Sequence, residues 1–152
     1  MLPIVRLRTV IERKIDAALD DEAAQARDIL LSMPGVGPVL ASTLLIDLPE
    51  IGCVSARRIA ALAGVAPINR DSGARRGQRC IWGGRREVRH ALYNASRSAI
   101  RHTPIFKSFY ERLRQEGKHH MVAVVAVMRK MLITLNAMIK TRTSFQAKHG
   151  CC

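Results

Sequence analysis

The chain has 152 residues, 48% of them hydrophobic, enough for one compact domain with a real core and too few for two full domains. Lys and Arg number 25 against 12 Asp and Glu, a formal charge of +13 that points to a polyanionic partner. The excess is uneven: eleven arginines and no lysine lie between Arg57 and Arg101, against two acids, Asp71 and Glu87. Guanidinium forks grip phosphate oxygens in pairs, whereas a solubilising surface mixes lysine with interleaved acids, so nucleic acid is favoured over mere solubility.

In residues 3–31, Ile4, Leu7, Ile11, Ile15 and Ala18 recur at steps of three and four, one face of a helix. This stretch is close to neutral. Over residues 1–28 it reads as a packing or dimer arm, the end of a coiled coil, with a core-facing helix as the equal alternative. Next, two short helices flank a glycine turn at Gly35-Val36-Gly37, and Pro38 suits the first turn of the second helix. The pattern is like a helix-hairpin-helix motif, whose amides and helix N-terminus point at a phosphate; an ordinary tight helix connection has the same residues. Ser55 is the expected N-cap of a helix over 56–63 with Gly64 at its end.

Residues 65–84 carry glycines and arginines without helical periodicity and read as a loop or short hairpin, anchored by Ile81 and Trp82. A helix resumes over 85–102 with Val88, Leu92, Ala95 and Ala99 inward. Thr103 and Pro104 form an N-cap and first-turn pair for a helix reaching Gln115 and stopping at Gly117, with Ile105, Phe106, Phe109, Tyr110 and Leu113 on its core face. Residues 118–141 are apolar nearly all round and are expected to cross the middle of the domain, Met121, Met128, Met131 and Met138 serving as packing. Arg129 and Lys130 at the centre argue against a membrane span, since each charge in lipid costs about 2.5 kcal/mol or more. The expectation is an all-α fold: an arm at 1–28, a compact helical domain at 29–142 with an irregular Arg/Gly-rich loop, and a disordered tail at 143–152.

The nucleophile in the most suggestive setting is Ser72, within Arg70-Asp71-Ser72-Gly73-Ala74-Arg75-Arg76-Gly77. A hydroxyl attacking a phosphodiester needs fixed positive charge around the developing phosphorane, which Arg70, Arg75, Arg76 and Arg79 supply if they converge. As a bare tripeptide, Asp-Ser-Gly reads more readily as a turn. Arg85, Arg86 and Arg89, at the start of the helix that leaves the loop, join them as candidate backbone contacts. No metal site is expected: Cys53, Cys80, Cys151 and Cys152 form no CxxC pair, adjacent His119 and His120 diverge on a helix, and half of the acids lie in the arm. His90 and His102 read as surface or capping groups. No secretory signal is evident, so the thiols are expected to be reduced and the location cytoplasmic.

Three blocks in order, LLSMPGVGPVLASTLLIDLPEIG, ALAGVAPINRDSGARRGQRCIWGGRREVRHALYNAS and FYERLRQEGKHHMVAVVAVMRKML, resemble the C-terminal domain of the 110/116/902 family of insertion-sequence transposases, over roughly residues 30–140. The resemblance implies a DNA recombinase that transposes a mobile element, with a RuvC-like acidic domain holding magnesium, a coiled-coil connection, and this domain carrying a catalytic serine, which the motif assigns to Ser72. It further implies strand exchange through a serine-phosphate link, guided by a structured RNA that pairs with donor and target, so that base pairing and not the protein chooses sequence. Nothing here matches the acidic domain, so the chain is expected to be a truncated frame or fragment, magnesium to lie outside it, and the chain alone to bind without transposing. The alternatives are a non-catalytic nucleic-acid-binding module, and a regulator that joins full-length transposase through the arm.

Overall fold

Helices form where apolar spacing and terminal signals coincide. The computed structural model describes residues 21–68, 80, 81 and 83–146, and contains α1 (Asp21–Leu31), α2 (Pro38–Asp47), α3 (Ala56–Leu62), α4 (Arg86–His102), α5 (Pro104–Gln115) and α6 (His120–Thr141). Between α3 and α4 lie two strands of two residues each, β1 (Pro67–Ile68) and β2 (Cys80–Ile81). The architecture is all-α among the described residues.

The helix ends show which local signals act as read. Ser55 caps α3, its Oγ accepting the Arg58 amide at 3.3 Å. Gly117, at φ +79°, closes α5: its amide donates to the Arg114 carbonyl and that of Lys118 to Leu113, a paired closure that consumes the last carbonyls. Lys118 is thereby held outside α6, which starts at His120 with His119 as N-cap, its Nδ1 accepting the Met121 amide. Thr103 differs from expectation. It stands at the N-cap of α5, but its hydroxyl is buried without a partner, and only its carbonyl serves the helix, accepting from Phe106 and Lys107.

α6 crosses the middle and packs on α1, α3, α4 and α5, burying Val124, Val127, Met128, Met131, Leu132 and Leu135. It is long and apolar enough to span a membrane, yet half of its most apolar stretch is buried inside the domain. Arg129 and Lys130 sit half-buried on its flank, with the Lys130 ammonium 4.5 Å from the Phe109 ring centroid. Met121, expected as packing, is 44% exposed because it lies in the first turn, beyond the helices that cover the rest. α4 is sharply two-faced: Val88, Leu92, Ala95 and Ala99 face the core, and each large apolar side chain so buried contributes about 1.5–3 kcal/mol.

Of the expected arm, residues 1–20 lie outside the described residues. The described part is one helix through residue 28, packed on α2 and α6 and ending with Leu30 fully buried. Glu22 pairs with Arg142 just past α6. Residues 147–152 of the expected tail also lie outside the description; before them, Phe145 packs on the core and its amide donates to Ser32 Oγ at 2.8 Å.

One polar residue inside α6 organises a distant loop. Asn136 is 4% exposed; its Oδ1 accepts the Gly52 amide at 2.8 Å and its Nδ2 donates to the Val54 carbonyl at 3.0 Å. This clamps the connection between α2 and α3, which carries Glu50.

Candidate nucleic-acid interface

The segment that carries Ser72 is flanked by a built base. β1 and β2 pair antiparallel in the register Pro67 with Ile81 and Ile68 with Cys80, so the chain departs and returns at adjacent points. Below the pair, Gly64 (φ +69°) and Gly84 (φ +70°) cross backbone to backbone. A Cβ on Gly64 would stand 2.1 Å from the Gly83 carbonyl oxygen, and one on Gly84 would stand 2.2 Å from the Gly64 amide nitrogen. Both are glycine because any side chain would drive the two segments apart. The Arg85 amide completes the crossing by donating to the Leu62 carbonyl at 2.9 Å. Ser72, Arg70, Arg75, Arg76 and Arg79 lie outside the described residues, as does Trp82.

The arginines that follow the loop divide. Arg85 makes a two-pronged contact with Glu50, Nη1 to Oε2 at 2.5 Å and Nη2 to Oε1 at 2.6 Å. That hydrogen-bonded guanidinium, helped more weakly by the charge of Arg58, holds the Glu50 carboxyl down at about 2, from an ordinary 4.5, and raises Arg85 in return. Arg89 donates from Nη1 to the Gly83 carbonyl. Both therefore hold the base of the loop, although a guanidinium has five donors and neither is fully used. Arg86 is exposed and has no partner among the described residues. Sequence reading put all three in one class because a guanidinium looks the same whether or not an acid 35 positions away folds onto it.

The glycine turn likewise divides. Gly35 has φ +94°, and a Cβ there would meet Ala99 Cβ at 2.6 Å, so this glycine seats the turn against α4. Val36 is 8% exposed and its amide donates to Met33. Gly37 opens outward: it is the N-cap of α2, at φ −101° and ψ 172°, and a Cβ there would meet nothing within 4 Å. No side chain caps α2, so its first-turn amides have no side-chain acceptor at the N-cap.

Among the described residues no three His, Cys, Asp or Glu side chains converge to hold a metal. His119 and His120 act separately, the latter through an Nδ1 contact with the Tyr110 hydroxyl at 2.7 Å. Sequence reading passed over the far end of α4, where Asn94, Arg97 and Arg101 are exposed. The 3.6-residue period that located its core face also places these opposite.

A family model described as the Transposase IS116/IS110/IS902 family matches residues 27–111, from α1 into α5 and across the loop. The chain is similar to an uncharacterized 43.6 kDa protein of insertion element IS110 from Streptomyces coelicolor, 30% identical over 143 residues, 93% of this chain and 35% of that one. An uncharacterized 42 kDa protein of insertion element IS900 from Mycobacterium paratuberculosis is 38% identical over 133 residues, 82% of this chain and 33% of its own. A pilin gene-inverting protein from Moraxella bovis is 30% identical over 124 residues, covering 79% and 38% respectively. The chain spans about a third of the length of these relatives.

Proposed function

This chain belongs to the IS116/IS110/IS902 transposase family, and on that premise we propose that it is the DNA-binding, serine-bearing portion of a DNA transposase. Ser72 is the nucleophile. Its Oγ bonds to phosphorus and loses its proton, the phosphorus–deoxyribose oxygen bond breaks, and the released oxygen takes up a proton. One phosphodiester is exchanged for another, so no outside energy source is needed. Arg70, Arg75, Arg76 and Arg79 neutralise the phosphorane charge, and Arg86 extends the positive surface from the base of the loop. Arg85 and Arg89 hold that base and reach phosphate with their remaining donors.

Gly37, with the open amides of α2, completes a helix-hairpin-helix-type phosphate contact; Gly35 and Val36 shape the turn behind it. Such contacts ignore base sequence, which suits a protein whose target is chosen by a paired guide RNA. The remaining partners are a second copy or a longer transposase, joined through residues 1–28, and the setting is the nucleoid in the cytoplasm.

The observation that supports this reading most is the family match over residues 27–111, a range that includes a segment whose two ends are held together by β1, β2 and the glycine crossing. The test is a denaturing-gel trap for covalent protein–DNA adducts, with an acidic domain from a relative supplied. Wild type is expected to form an adduct and Ser72→Ala none. Equal adducts from both proteins would refute the serine's role, and binding without adduct from either would leave a non-catalytic module. Arg75→Ala with Arg76→Ala is expected to lower the salt dependence of binding by about two units of slope.

A further inference from the structure

At 100° per residue, positions 86, 90, 94, 97 and 101 of α4 fall within one arc of about 80°. They are Arg86, His90, Asn94, Arg97 and Arg101, all exposed, and the only acid in α4, Glu87, lies at the edge of that arc. Four basic side chains elsewhere are paired with acids: Glu50 takes Arg85, Glu111 takes Lys107, Glu116 takes Arg112 and Glu22 takes Arg142. On this face none is. Arg86 and Arg101 have no hydrogen bond or ion pair among the described residues, and Arg97 only leans over the Tyr93 ring, 5.7 Å from its centroid.

At the far end these side chains border a surface hollow of about 260 Å³, lined by Asn94, Arg97, Ser98, Arg101 and His102. Each has a group able to donate a hydrogen bond and none is acidic, which is the complement of a phosphate. The negative end of the α4 dipole opposes an anion there. The hollow, however, lies on the helix flank, where two full guanidinium charges outweigh about half a charge on the axis.

We propose that the outer face of α4 is a second contact surface for the phosphodiester backbone of a nucleic-acid duplex, with the hollow at Asn94, Arg97, Arg101 and His102 seating one phosphate. The inference rests on the reading of this chain as a nucleic-acid binder and adds a footprint that continues from Arg86 along α4. Arg86 and Arg101 are about 22 Å apart along the axis. At about 3.4 Å per step that length matches some six to seven base pairs.

The experiment uses the full chain with Arg97→Gln and Arg101→Gln together, titrated against a DNA duplex and an RNA duplex at several salt concentrations between about 50 and 200 mM. Binding is expected to weaken about tenfold or more, the slope of log affinity against log salt to fall by about two, and the melting temperature to stay put. Loss on one duplex names the nucleic acid seated there, and loss on both shows that the shared phosphodiester is what is recognised. A control pair, Lys107→Gln and Arg112→Gln, removes the same charge from α5 and is expected to have the smaller effect. Unchanged affinity and slope on both duplexes, or an equal loss in the control pair, overturns the proposal while leaving the loop's role intact. Failure of the wild-type chain to bind either duplex removes the broader reading as well.

Discussion

Asn136→Ala tests how the core reaches the candidate interface. The substitution removes both partners that α6 offers to the α2–α3 connection, leaving the Gly52 amide and the Val54 carbonyl without their contacts at 2.8 and 3.0 Å. Each such bond is worth about 1 kcal/mol net, and stranding the two groups adds to that. Gly52 and Val54 are only half-buried, so water partly replaces what is lost. The expected destabilisation is therefore about 2–3 kcal/mol, a melting-temperature drop of about 4–12 °C for a chain this size. Thermal and urea unfolding followed by circular dichroism at the helix band measure it. Asn136→Asp keeps the acceptor for Gly52 but loses the donor for Val54 and brings a carboxylate into a buried site, so it is expected to be no milder. A loss below about 0.5 kcal/mol for Asn136→Ala would refute the clamp, and with it the idea that Glu50 is positioned from the core.

Gly84→Ala is expected to destabilise by more than about 2 kcal/mol in urea unfolding, because its Cβ would sit 2.2 Å from the Gly64 nitrogen at φ +70°. Gly83→Ala, at φ +72° but with nothing within 4 Å, is expected to cost only the left-handed backbone, about 1–2 kcal/mol. In the same measurement Gly35→Ala, facing Ala99 at 2.6 Å, is expected to destabilise clearly. Gly37→Ala is expected to stay within about 0.5 kcal/mol of wild type. For pH, the folded Glu50 carboxyl lies near 2, below its ordinary 4.5, so its pairing with Arg85 favours the fold above about 4.5 and that contribution fades as pH falls toward 2. The urea-midpoint difference between wild type and Glu50→Gln is expected to be constant near neutrality and to shrink through that window, remaining modest because both side chains are about a third exposed.

Helix positions were legible because their causes are local. Thr103-Pro104 and Gly117 bracket α5, and Ser55 opens α3, through groups within a few residues of each end. Periodicity found the inner face of α4 for the same reason. Family membership was legible too, since the three blocks keep their order along the chain.

The interface was only half legible. Eleven arginines between 57 and 101 look alike in one dimension, yet Arg85 is engaged by Glu50, Arg89 by the Gly83 carbonyl, and Arg86, Arg97 and Arg101 stay open. Gly35 and Gly37 are two residues apart and face opposite demands, one set by Ala99 from α4 and the other by open solvent. Asn136 reads as an interruption in an apolar helix until Gly52, 84 positions earlier, is brought to it. Composition and periodicity determined the excess of positive charge and the helices. The chain's path through space decided which charges stay unpaired among the described residues, because a guanidinium or an amide is committed by whichever acceptor folding places beside it, and sequence distance carries no record of that encounter.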